Sequence, residues 1–139
     1  MSVLVECVPN FSEGRDKAKV EAIVAAARAV IGVLILDVET DFDHNRCVLS
    51  FVAPPAAAME ACFQVAKSSR DLLDLTKHQG AHPRMGAVDV IPFIPVAGIS
   101  IQECAALAEK LAARIAKELD IPAYLYDHAA KSPERKDLA

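Results

Sequence analysis

The residues best equipped for chemistry lie close together in His78-Gln79-Gly80-Ala81-His82-Pro83-Arg84-Met85-Gly86, which holds two of the chain's four histidines. Glycine and proline on both sides of His82 predict an irregular, fixed backbone, a loop and not a helix. Imidazole titrates near neutral pH, so His82 is the candidate acid–base group. Arg84 offers a planar guanidinium that can grip a carboxylate with two parallel hydrogen bonds. Metal binding is the competing chemistry. His78 and His82 have H-x-x-x-H spacing, but Gly80 and Pro83 argue against the helix that would bring them together, and the Glu of H-E-x-x-H is missing. His44 or Asp89 would have to complete such a site, and no metal is expected. G-x-S-x-G, the P-loop and G-x-G-x-x-G do not occur. The residue pattern by itself points to a small-molecule site with one histidine base.

That loop must be held by something. Val88 to Val96 follows it directly as an apolar strand, and Pro92 and Pro95 within it predict an edge position or a bulge. Upstream, Val3 to Val8 reads as a strand ended by Pro9, followed by the polar loop Asn10-Phe11-Ser12-Glu13-Gly14-Arg15. Val20, Ile23, Val24, Ala27 and Val30 recur at helical spacing, with Gly32 placed as a C-cap. Val33 to Thr40 and Asn45 to Ala53 read as strands joined by the hairpin Asp41-Phe42-Asp43-His44. Pro54-Pro55 opens a second helix with Met59, Cys62, Phe63, Ala66 and Leu73 on its apolar face, ending near Thr76. Ser100 and Glu103 form a capping box, and Ile101, Cys104, Ala108, Leu111, Ile115 and Leu119 make one helical stripe. Ile121 to Tyr126 reads as a last short strand, and Lys131 to Ala139 as a polar end. The order β-α-β-β-α-β-α-β predicts an α+β fold. Its first six elements match the ferredoxin-like split βαβ arrangement, with an extra α-β unit added. Such a fold is a mostly antiparallel sheet with helices on one face and the other face open.

Strand periodicity assigns residues to that open face. Leu34, Leu36 and Val38 alternate with Asp37 and Glu39, and Cys47, Leu49 and Phe51 alternate with Arg46, Val48 and Ser50. If the apolar sets meet the helices, Asp37, Glu39, Arg46 and Ser50 look outward. Glu6, with Leu4 and Val8, and Asp89, with Ile91 and Phe93, are expected to join them. A polar outer face is also ordinary for an antiparallel sheet, so the pattern leaves both readings open.

Composition narrows the classes. At 139 residues, 53% hydrophobic and 24% charged, the chain is sized for one globular domain. The net charge of −4 and pI near 5.5, with no basic stripe, disfavour nucleic acid as a partner. No apolar run is long enough to predict a membrane span. The N-terminus lacks signal-peptide features, so a cytoplasmic location is expected. Cys7, Cys47, Cys62 and Cys104 show no C-x-x-C spacing and read as buried, reduced thiols, none a nucleophile.

Three stretches in order carry a resemblance: Val5 to Arg15, Leu36-Asp37-Val38, and His82 to Val96, continued by Pro122 to Tyr126 and Pro133-Glu134-Arg135. Together they resemble glutamate formiminotransferase, as found in formiminotransferase-cyclodeaminase, over essentially the whole chain. The resemblance implies transfer of a formimino group from N-formiminoglutamate to tetrahydrofolate, a co-substrate, in histidine breakdown. It places the family's catalytic base on His82. Arg46 and Arg84 are then candidates for the ligands' carboxylates, and Asp37 or Glu39 for the passing positive charge on the amine. Asn10 and Asp89, inside the matching motifs, join them as candidate substrate- or folate-binding residues. Two departures stand out: Ala81 where the family shows an acid, and Glu39 where it shows Asp. The family's transferase unit has two similar subdomains, so residues 1–139 are expected to be one N-terminal subdomain supplying half of a site. The expected partner is a C-terminal subdomain or a second copy, docked through the open sheet face. A formyl-transferring folate relative and a non-catalytic binding or assembly module are the alternatives.

Overall fold

In a computed structural model, residues 3–72 and 88–119 are described, with residues 88–90 described by backbone alone. The elements in order are β1 (Leu4–Cys7), β2 (Asn10–Phe11), α1 (Lys17–Arg28), β3 (Leu34–Asp41), β4 (Arg46–Ala53), α2 (Pro55–Leu72), β5 (Val88–Val90), β6 (Phe93–Ala97) and α3 (Ile101–Leu119). The predicted last strand, Ile121 to Tyr126, the polar end from Lys131, Leu73 with the expected helix end near Thr76, and the whole loop before β5 lie outside the described residues.

The six strands form one sheet in which every pairing is antiparallel. β4 lies between β3 on one side and β1 with β2 on the other; β6 pairs with β1 and β5 with β2. β1 and β2 are two halves of one run, parted at Val8-Pro9, and β5 and β6 are two halves of another, parted at Ile91-Pro92. Proline cannot donate to a ladder, so both runs break beside a proline. The Val8 amide still donates to the Pro92 carbonyl at 3.4 Å, tying the two breaks together. Among the described residues β6 is an end strand, which is where Pro95 was expected.

One face of the sheet carries Val5, Cys7, Phe11, Cys47, Leu49, Phe51 and Ala53, all fully buried. They form one core with Val20, Ile23, Val24 and Ala27 of α1, Ala58, Cys62, Phe63, Val65 and Ala66 of α2, and Cys104, Leu111, Ile115 and Leu119 of α3. Each helix has a visible start. The Asp16 carboxylate caps α1 by accepting from the Ala18 and Lys19 amides at 3.0 and 3.3 Å. Pro55 opens α2, and the expected capping box closes on α3, with Ser100 and Glu103 exchanging hydrogen bonds of 3.1 Å. Each such cap is worth about 1 kcal/mol. Arg114 of α3 binds Glu60 of α2 and Glu118, with its guanidinium carbon 3.6 Å from the centre of the Phe63 ring, which joins α2 to α3.

Several details depart from the sequence expectations, beginning with Asn10-Phe11, read as loop but found as the strand β2 with Phe11 fully buried. Residue Gly32 is not the C-cap of α1: that is Ala29, in a helical conformation, while Gly32 sits in the next turn at φ +99°. The register of β3 on β4 shifts between Ile35 and Asp37, so Ile35 and Val38 pack on the core while Leu34 and Leu36 are exposed. Phe93 is the Cα partner of buried Cys7 and packs on the core with Ile91, leaving Ile94 to share the open face with Glu6. Finally, Ile101 begins the α3 stripe but is exposed.

Candidate functional site

No described element covers the second face of the sheet, and strand register orders its side chains into rows. The first row is Leu34, Val52, Glu6 and Ile94. Asp37 opposes Ser50 in the second; Glu39, Val48 and Asn10 align in the third, where the backbone of Val90 pairs with Asn10; Asp41 opposes Arg46 in the last. Rows on one face repeat about every 7 Å along the strands, and neighbouring strands lie about 5 Å apart. The face therefore divides into a mostly apolar end, with Glu6 as its one charged residue among those described, and a charged corner beside the β3–β4 hairpin. Asp37, Glu39 and Arg46, expected on this face, do gather toward that corner, and Asn10 of β2 joins them. His82 and Arg84, and the side chain of Asp89, lie outside the described residues; Asp89 belongs to β5 by its backbone.

The corner is built by a loop folded onto a turn. The Glu13 carboxylate accepts from the Arg15 and Asp16 amides at 3.1 and 3.0 Å, curling the polar loop after β2. Gly14 then presses against the hairpin: a Cβ there would come within 2.5 Å of the Asp41 and Arg46 carbonyls. Only glycine allows that approach. Its amide donates to Asn45 Oδ1 at 2.9 Å, and Asn45 itself holds φ +50°, a conformation asparagine tolerates better than most residues. Arg15 donates to the Phe42 and Asp43 carbonyls at 2.7 and 3.3 Å and lies over the Phe42 ring at 4.8 Å. The motif Asn10 to Arg15 thus fastens the first strand run to the turn that carries Arg46.

Polar groups in the corner differ in how they are occupied. The Asn10 amide group donates to the Val8 carbonyl at 3.0 Å, and Asp37 accepts from the following amide, that of Val38, at 3.0 Å. Asp41 accepts from the His44 backbone amide at 3.2 Å and meets His44 Nδ1 at 2.6 Å. These two contacts hold the Asp41 carboxyl below its ordinary value. Arg46, directly opposite Asp41 in the register, forms no ion pair among the described residues, and its Nε is buried without a hydrogen-bond partner. A guanidinium left in this state is suited to an incoming anion.

The cysteines play no part in this corner. All four are free and buried. Burial pushes the Cys47 thiol up to about 12; it also raises Cys62, which sits against Cys7, and Cys104. Thiols so placed are neutral at physiological pH and poor nucleophiles. Among the described residues no group of three His, Cys, Asp or Glu side chains is arranged to hold a metal ion, and no helix is long and apolar enough to cross a membrane.

Sequence reasoning overlooked the Asp41–His44 pair and the Asn45 anchor. The D-x-x-H spacing across a four-residue turn, and an asparagine just before a strand, were the available signals.

The described residues form a mixed α/β unit with an antiparallel sheet, one helix-covered face and a charged corner on the other. The family described as "Formiminotransferase domain, N-terminal subdomain" matches residues 4–139, and the chain belongs to that family. It is 46% identical over 139 residues to the glutamate formimidoyltransferase of Streptococcus pyogenes serotype M1, covering 100% of this chain and 46% of that protein. Against the glutamate formimidoyltransferase of Thermoplasma acidophilum the identity is 49% over 136 residues, covering 98% and 45%. The formimidoyltransferase-cyclodeaminase of Mus musculus is 46% identical over 138 residues, covering 99% and 26%. The chain spans less than half the length of these relatives.

Proposed function

We propose that residues 1–139 form one N-terminal subdomain that supplies half of a formimino-transfer site, with N-formiminoglutamate as donor and tetrahydrofolate as acceptor. The observation that carries this reading is Arg46, whose buried Nε has no hydrogen-bond partner among the described residues, at the charged corner of a sheet face that no described element covers, in a chain of the formiminotransferase family. Relatives named for formimidoyl transfer favour it over formyl transfer and over a module without catalysis. A ferredoxin-like arrangement, with α3 and the predicted strand Ile121 to Tyr126 added, is part of the proposal. The wholly antiparallel sheet supports it, as does a first strand run lying between the third and the last.

In the proposed mechanism His82 takes a proton from the folate amine as that amine attacks the formimino carbon. The same imidazole then returns a proton to the glutamate nitrogen as the carbon–nitrogen bond to it breaks. Arg46 and Arg84 bind substrate carboxylates, and Asp37 or Glu39 stabilises the positive charge that passes through the amine. Asn10 and Asp89 complete the candidate binding set. Glu39 in place of Asp brings the same charge on a longer arm, and Ala81 removes an acid beside the base; both bear on donor preference. The uncovered face is the proposed docking surface for a C-terminal subdomain or a second copy. No metal is required by this chemistry, and the cytoplasm is the proposed location.

The test is transfer from N-formiminoglutamate to tetrahydrofolate by the full-length protein. His82→Ala is expected to lower kcat by about 10²- to 10⁴-fold, the usual range for losing a positioned acid–base group. A wild-type protein without transfer activity, or a His82→Ala variant as fast as wild type, would refute the reading.

A further inference from the structure

Arg46 and Asp41 are Cα partners on the same face of the β3–β4 ladder. Opposed residues in an antiparallel pair place their Cβ atoms about 5 Å apart, and opposite charges there normally pair. They do not pair here. The Asp41 carboxylate is turned to the hairpin, where the His44 ring meets it at 2.6 Å and the His44 amide donates to it at 3.2 Å. Arg46 is left with no ion pair among the described residues and with a buried Nε that has no acceptor.

We infer that His44 is a positioning residue: by engaging Asp41 it keeps that carboxylate from neutralising Arg46, so that the guanidinium stays available to a substrate carboxylate. The inference rests on the proposed formimino-transfer reading and adds to it the device that sets affinity for the anionic donor. Asp41, directly opposite in the register, is an internal competitor for Arg46, present at high effective concentration because it belongs to the protein. A substrate carboxylate must displace any such internal partner before it binds, and its apparent affinity falls by the fraction of protein in which Arg46 is already paired. Both contacts to Asp41 come from within the same turn, so the restraint is local and independent of the substrate. Asn45 and Gly14 fix the turn itself, through the 2.9 Å hydrogen bond and the close approach at the hairpin carbonyls.

Coupled variants in the full-length protein provide the test, read as KM for N-formiminoglutamate. His44→Ala removes the imidazole contact, leaving Asp41 held by the backbone amide alone, and is expected to raise KM roughly 3- to 10-fold, the effect of one competing hydrogen bond, with kcat little changed. His44→Gln retains a donor to Asp41 and is expected to keep KM near wild type. Asp41→Asn in the His44→Ala background removes the competing charge and is expected to return KM to near wild type. Asp41→Glu, with His44 intact, lengthens the arm toward Arg46 and should raise KM in the same direction; it keeps the test open if His44→Ala does not fold. An unchanged KM in both His44→Ala and Asp41→Glu would overturn the inference, as would a raised KM that Asp41→Asn fails to relieve. Because wild-type transfer is measured first, failure of the formimino-transfer reading itself is distinguished from failure of this inference.

Discussion

The two faces of the sheet are made by the same strands yet follow different rules. Along β4, Cys47, Leu49, Phe51 and Ala53 are sealed under the helices, while the alternating residues Arg46, Val48, Ser50 and Val52 are only half-buried. The covered face is uniform and its value lies in packing. The uncovered face is graded, from Leu34, Val52 and Ile94 at one end to Asp41 and Arg46 at the other. Side chains on the first face are replaceable only by shapes that fill the same volume; on the second they are constrained by what they leave unpaired. The stretch Asn10 to Arg15 belongs to neither face alone. It lies at the border and locks one to the other.

The sharpest way to test that contrast is a pair of adjacent substitutions in β4. Phe51→Ala, on the covered face, is expected to destabilise the protein by about 3–5 kcal/mol in chemical denaturation. Val52→Ala, one residue on, is expected to cost about 1 kcal/mol or less, because its side chain is already partly in contact with solvent. Similar losses from the two would show that the second face is buried in solution by something further. At the border, Gly14→Ala is expected to cost about 1–3 kcal/mol, since a methyl group there meets hairpin carbonyls that can move only by displacing the turn. It should also weaken substrate binding, because the turn carries Arg46; a Gly14→Ala protein as stable as wild type would count against the clamp.

Acid titration gives the smallest effect. The Asp41 carboxyl is held low in the folded protein, first by the His44 amide and then by its imidazole. A carboxyl depressed by folding contributes stability that is fully present above its unfolded value, about 3.9, and is lost as pH falls through the folded value. Thermal unfolding below about pH 4 should therefore lose less stability in His44→Ala than in wild type. Parallel curves for the two proteins would show that the pair carries no such linkage.

How much of this could be read in advance varied with how strongly side-chain chemistry alternates. In β4, apolar and polar residues alternate without a break, and both faces were assigned correctly. The capping box at Ser100 and the α3 stripe from Cys104 to Leu119 were equally plain. In β3, by contrast, Leu34, Ile35 and Leu36 are all apolar, so no periodic signal marks the register shift beside Leu36 that turns Ile35 inward. Phe93 and Ile94 hide the orientation of β6 in the same way. The charged corner was legible as a set of residues, since Asp37, Glu39 and Arg46 fall on one face by parity alone. Its internal pairing was not. Whether Arg46 meets Asp41 or Asp41 meets His44 depends on the turn geometry that Gly14 and Asn45 impose from a distant part of the chain. His82 and Arg84, the residues that first drew attention, lie outside the described residues, so their place rests on the family relationship.

The register shift in β3 has a consequence for how the protein behaves at high concentration. Among the described residues β3 has a neighbour on one side only, and a free strand edge is a template on which another chain can add. Here that edge is interrupted beside Leu36 and carries Asp37, Glu39 and Asp41 within five residues. A second copy laid antiparallel along it would bring acid against acid across a broken ladder. Leu34 and Leu36 are exposed on the same strand, so the shift and the acids together protect it from edge-to-edge aggregation.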